Sequence, residues 1–180
     1  MQRISVKEYH NIIAATPLTG KRRAKPRLAS STWTAAGYLE RLMTRPPLSD
    51  LVKLGPEDRL AIDFTRLLTA WTLSGALRAV WTHAANEVGG GTANAGIRYA
   101  VAKSMGLTAG TADYLFMGNG FSAALEAKAE KGTQTPNQRD FELWCRAHDV
   151  PYTVFKTVRD GAEHLVSAGI LRAAALNDIV

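Results

Sequence analysis

The residues of this chain whose types and spacing could do chemistry are Asp113, Glu126 and Lys128. They lie in the stretch Asp113-Tyr-Leu-Phe-Met-Gly-Asn-Gly-Phe-Ser-Ala-Ala-Leu-Glu126-Ala-Lys128. Two apolar runs of strand length flank Asn119-Gly120, a pair strongly favoured in short hairpin turns. With that pair as the turn, Gly118 faces Phe121 and, counting back along both strands, Asp113 falls opposite Glu126. Directly opposed residues share one side of a sheet, as do residues two apart on a strand. Asp113, Glu126 and Lys128 are therefore predicted to gather on one side, with Leu125 and Ala127 pointing the other way into a core. A slip of one residue in the register would scatter the trio.

Two carboxylates held this close repel each other unless a cation lies between them. Hard oxygen donors at this density suit Mg²⁺ or Mn²⁺, which keep several waters as further ligands. A lysine beside such a metal can orient or deprotonate an attacking water and stabilise charge developing on a phosphate. The alternative is an exposed strand face on which Lys128 pairs with Glu126 or Glu130 for little energy.

Composition narrows the partner. The chain has 180 residues and a net charge of +6, and the positive charge is concentrated at one end. Residues 1–55 hold 10 Lys+Arg against 3 Asp+Glu, while residues 56–180 hold 12 against 13. A basic arm beside an acidic metal site suits a polyanion such as DNA. Cys145 is the only cysteine, so neither an intrachain disulfide nor a cysteine-based zinc site is available. That usage fits a reducing, cytoplasmic setting. No secretory signal and no membrane-length apolar run is visible.

The elements that must position the trio follow from periodicity and caps. Residues 4–15 read as a short helix with Ser5 as N-cap and Glu8 completing a capping box. The basic run Lys21-Arg22-Arg23-Ala-Lys25-Pro-Arg27 follows, either solvated or in contact with phosphate. Residues 33–44 read as a helix, and residues 48–54 as a short segment of undecided type. Pro56, with Glu57 and Asp58 behind it, opens a long helix whose Leu60, Phe64, Leu67, Leu68 and Trp71 repeat at helical spacing. Residues 77–84 read as a strand, 93–106 as a helix, and 151–156 as another strand. Between them, Thr135-Pro136-Asn137-Gln138 is a strong helix start. Residues 158–167 and 169–176 give one or two further helices. From residue 56 the predicted order is α-β-α-β-β-α-β-α, a mixed sheet with helices packed on it. Trp33, Trp71, Trp81 and Trp144 are expected in the core or a dimer interface, and Cys145 as a small buried hydrophobe.

Assembled in this order, the residues resemble the Asp…Glu-x-Lys core of the PD-(D/E)xK nuclease superfamily. They resemble most closely its VRR-NUC (virus-type replication-repair nuclease) domain. The likeness rests on His83 and Asn86-Glu87 after the first strand, Arg98 and Lys103-x-x-Gly106, and Gly110-x-x-Asp113. Glu126-x-Lys128-x-x-x-Gly132 and Gln138 at the head of the next helix complete it. It covers roughly residues 56–170, so the reading divides the chain into a basic N-terminal extension (1–55) and a nuclease domain (56–180).

The resemblance implies a restriction-endonuclease-like core and a metal-dependent phosphodiesterase acting on DNA, often branched DNA such as a Holliday junction. Small members of the family look like homodimers, and a dimer of about twice the 19.5 kDa chain mass is expected here. It further implies Asp113 and Glu126 as ligands of Mg²⁺ or Mn²⁺, the Ala127 carbonyl as another, and Lys128 serving the attacking water. An acid on the first helix is also expected, and Asp63 is preferred to Glu57 because Glu57 is already explained as a helix-start residue. Gln138 has two explanations, a capping role and a place near the metal. His83, Asn86, Arg98 and Lys103, with Lys21, Arg22 and Arg23, are the expected DNA contacts. The rival readings are a non-catalytic DNA-binding accessory protein that keeps the fold, and a flap or restriction-type nuclease.

Overall fold

Backbone pairing about Asn119-Gly120 organises the protein. The computed structural model describes residues 35–45, 53–84 and 95–179. In chain order the elements are helix α1 (Ala35–Met43), helix α2 (Pro56–Ser74), strand β1 (Val80–His83), helix α3 (Ala95–Ser104), and strands β2 (Tyr114–Gly118) and β3 (Phe121–Ala127). Helix α4 (Pro136–Ala147), strand β4 (Tyr152–Phe155), helix α5 (Val158–Ser167) and a 3-10 helix (Ala173–Asp178) follow. The strands form one four-stranded mixed sheet in the order β1-β2-β3-β4. β1 and β3 run antiparallel to β2, while β4 runs parallel to β3 after the α4 crossover.

Gly118 pairs with Phe121 and Tyr114 with Leu125, so the register expected from the turn is the one observed. Gly120 takes φ 78°, whereas Asn119 is not left-handed, so this is not the doubly left-handed form the Asn-Gly pair most often adopts. At Gly118 a Cβ would overlap the Phe121 ring, which lies across the backbone there.

Helices cover both faces of the sheet, so β3 is buried on both sides and does not alternate between core and solvent. On one face α2 lays Phe64, Leu68 and Trp71 against Tyr114, Phe116, Leu125, Ala127 and Phe155. Those helix residues recur at the three- and four-residue spacing of one helical face. α5 packs into the same cluster, where the missing side chain of Gly161 leaves room for the Phe64 and Phe155 rings. The opposite face holds a smaller cluster of Ala112, Ala124, Cys145 and Tyr152, edged by Leu115 and Phe141.

Several expectations shift. The first strand is shorter than 77–84, and Leu77 makes only an isolated bridge to Leu171. The segment expected as a helix over 169–176 is a 3-10 helix two turns long, beginning at Ala173. Trp71 and Trp81 are core residues, but Trp144 is 55% exposed, with its ring set edge-on to Phe141. Cys145 is buried as expected. Residues 35–180 cluster as one compact unit. Helix α1, assigned above to the extension, therefore belongs with the sheet, and Met43 packs against its core. The helix expected over 4–15, the basic run Lys21-Arg22-Arg23, Trp33, most of 48–54 and Asn86-Glu87 lie outside the described residues. No described helix is long and apolar enough to cross a membrane.

Candidate metal centre

The hairpin register carries Asp113 and Glu126 to the same end of the β2–β3 pair. Asp113 stands just before β2, where the ladder ends, and its Oδ2 accepts the N–H of Ala127 at 2.9 Å. Glu126 is wholly buried at the end of an inner strand, and Lys128 is only 5% exposed beyond it. Lys128 Nζ donates to Glu126 Oε1 at 2.7 Å and to Glu57 Oε1 at 3.0 Å.

Glu57 corrects the sequence reading. It is the acid that joins the cluster, while Asp63 lies exposed and paired with Arg66 at 2.9 Å. Helical geometry gives the reason. Glu57 and Phe64 are seven residues apart and share the face that packs on the sheet, whereas Asp63 sits about 100° round from Phe64. Gly55 is the N-cap, Pro56 opens the helix, and Asp58 Oδ2 accepts the Gly55 N–H at 2.9 Å. With Asp58 supplying the cap, Glu57 is free to reach Lys128. The heptad step from Glu57 to Phe64 is the sequence signal that identifies it.

Gln138 closes the cap and also reaches the carboxylate cluster. Its Oε1 accepts the Thr135 N–H at 2.8 Å, and Thr135 Oγ1 accepts the Gln138 N–H, which closes the capping box. Its Nε2 donates to Glu126 Oε1. The cap that starts α4 thus fixes the amide that holds Glu126. Gly110 presses on this turn with φ 80°, and a Cβ there would overlap the Asn137 peptide. Gly110→Ala is expected to cost about 2 kcal/mol or more through left-handed strain plus that overlap. It should also weaken divalent-cation binding by displacing Gln138, and paired melting and cation titrations of the variant check both effects.

One oxygen from each of Glu57, Asp113 and Glu126 lies within 4.8 Å of the other two. Glu126 Oε2 is buried with no hydrogen-bond partner among the described residues. A buried, unpaired carboxylate oxygen is costly, and a bound cation relieves that cost. Burial and then the neighbouring Asp113 charge push the Glu126 carboxyl up to about 7, although the Lys128 hydrogen bond opposes them. Burial also raises Asp113, against the pull of the Ala127 N–H, Lys128 and His83. For Lys128, burial acts to lower the pKa, but the hydrogen bonds to Glu126 and Glu57 outweigh it and leave it raised. Lys128 is therefore an ammonium rather than a free base. With all three carboxyls ionised, three carboxylates against one ammonium leave a charge that a divalent cation matches, and the all-oxygen donor set fits Mg²⁺ or Mn²⁺.

The remaining expected site residues fall further out. Ala127 is buried between Glu126 and Lys128, with its N–H given to Asp113. His83 is exposed at the end of β1, its ring edge-on to Tyr114 at 4.9 Å, where its charge is felt by Asp113. Arg98 and Lys103 are exposed on α3, and no contact between either and the carboxylates is found among the described residues. Lys21, Arg22, Arg23 and Asn86 lie outside the described residues. Neither a family model, nor a curated protein, nor a solved structure matches this chain.

Proposed function

We propose that the protein is a Mg²⁺- or Mn²⁺-dependent DNA endonuclease acting on branched DNA, a homodimer built on a VRR-NUC-like form of the PD-(D/E)xK core. The observation that carries this reading is the meeting of Glu57, Asp113 and Glu126, with one Glu126 oxygen buried and unpartnered among the described residues and Lys128 alongside. Asp113, Glu126 and Glu57, with the Ala127 carbonyl, would hold the cation. When bound, the cation polarises a phosphodiester and lowers the pKa of a coordinated water.

The chain's own side chains supply the rest. Lys128, a fixed ammonium, offers positive charge where the scissile phosphate gains negative charge in the transition state. Gln138 holds Glu126 by a hydrogen bond, and Asp113 is oriented by the Ala127 N–H. His83, Arg98 and Lys103, with Asn86 and the Lys21-Arg22-Arg23 run, would bind backbone phosphates and so set position rather than sequence.

The test is cleavage of labelled four-way junction, 5′-flap and linear duplex DNA with Mg²⁺, Mn²⁺ or EDTA. Paired symmetric nicks in the junction are expected. They should be absent with EDTA and reduced at least about a thousandfold in Glu126→Ala and Lys128→Ala, in line with losing groups that act on the transition state. Flap cutting alone would keep the chemistry and change the substrate. Tight junction binding with no cleavage in either metal would overturn the enzyme reading in favour of an accessory DNA-binding protein. A strictly monomeric, active protein would overturn the junction-resolving form of it.

A further inference from the structure

Lys128 occupies an unusual position for a residue that serves only an incoming phosphate. Its ammonium is the counter-ion of two of the three carboxylates, at 2.7 Å from Glu126 and 3.0 Å from Glu57. The two contacts differ in what they allow. Glu126 and Lys128 are both buried, and Glu126 Oε1 is held by Gln138 as well as by Lys128. The Glu57 side chain is 45% exposed and sits on the first turn of α2. Of the three side chains, Glu57 is the one with room to change partner.

Resting on the metal-site reading above, we propose that Lys128 is an internal counter-cation that competes with the divalent ion for Glu57. Glu57 passes from Lys128 to the metal on binding, and Lys128 thereby sets the affinity of the site. Without metal, the ammonium keeps the three acids from repelling one another and holds the mouth of the site in shape. With metal, its bond to Glu126 persists and its bond to Glu57 is given up. Removing the lysine charge should therefore tighten metal binding, because the site becomes more negative and loses its competitor. A lysine that merely held the two glutamates in place would do the opposite, since its loss would loosen the ligands.

The experiment is calorimetric titration of Mn²⁺ into the full-length, metal-free protein and its Lys128→Gln variant. Binding about tenfold tighter in Lys128→Gln is expected, with a much smaller gain when Glu57→Gln is already present. Equal or weaker binding in Lys128→Gln would overturn the proposal. Should that variant fail to fold, the wild type itself decides. Lys128 ammonium protons, followed by nitrogen-15 NMR, should exchange with water at least about tenfold faster at saturating Mg²⁺ than without it. Unchanged protection would overturn the proposal. None of these readouts involves DNA. A protein that binds metal as expected but cuts nothing would defeat the nuclease reading and leave this inference standing, and the reverse pattern would separate them the other way.

Discussion

Phe64→Ala is expected to destabilise the protein by about 3–5 kcal/mol, the range for removing a fully buried aromatic ring from a core. Phe64 has no exposed surface, meets Tyr114 edge-on at 5.2 Å and tilts against Phe155 at 4.6 Å. It also fills the space that Gly161 leaves open on α5. The same ring pins to the sheet the helix that carries Glu57, so the loss should reach the metal centre seven residues away. On the proposed metal reading, a cation that binds only the folded chain adds about 2.7 kcal/mol at 100 times its Kd. Denaturant unfolding of Phe64→Ala should therefore show a large loss without metal and partial recovery with Mn²⁺. A loss below about 1 kcal/mol would mean that α2 is not held by this contact.

Glu126→Gln is expected to change how stability depends on pH. The Glu126 carboxyl titrates at about 7 in the fold against an ordinary value of 4.5. Its folded pKa is raised, so its favourable contribution is fully present below about 4.5 and is lost as pH rises through 7. A shift of this size corresponds to about 3 kcal/mol. Between pH 4.5 and 8 the metal-free wild type should therefore lose about that much stability relative to Glu126→Gln, whose side chain does not ionise. Saturating Mg²⁺ should restore the wild type at pH 8 and do little for the variant. Parallel pH profiles for the two proteins would contradict the burial of an ionising carboxylate at this position.

The parts of the fold that are legible in the sequence are those set by local rules. Asn119-Gly120 dictates a turn, the turn dictates a register, and the register brings Asp113 level with Glu126 without any knowledge of the rest of the chain. Thr135-Pro136 marks the start of α4 because cap and ring chemistry act within a single turn. What local rules do not reach is how one helix stands against the sheet. Asp63 and Glu57 are both acids on α2, and the heptad step that links Glu57 to Phe64 selects it only once Phe64 is known to pack on Tyr114 and Phe155. Trp144 has the composition of a core residue, yet α4 turns Cys145 inward and leaves Trp144 outside, a rotation its sequence does not determine. The burial of Glu126 is likewise invisible in a Glu-x-Lys pattern. It arises because β3 is an inner strand, covered on one face by α2 and α5 and on the other by α4.

Diffraction from crystals soaked in Mn²⁺ most directly tests joint binding of a divalent cation by Glu57, Asp113 and Glu126. An anomalous difference peak is expected between those three side chains, within about 2 Å of the nearest carboxylate oxygens. Glu126 Oε2 should be among the ligands, and Glu57 should be drawn away from Lys128. A fully soaked crystal with no peak there, or with manganese bound only elsewhere, would contradict it.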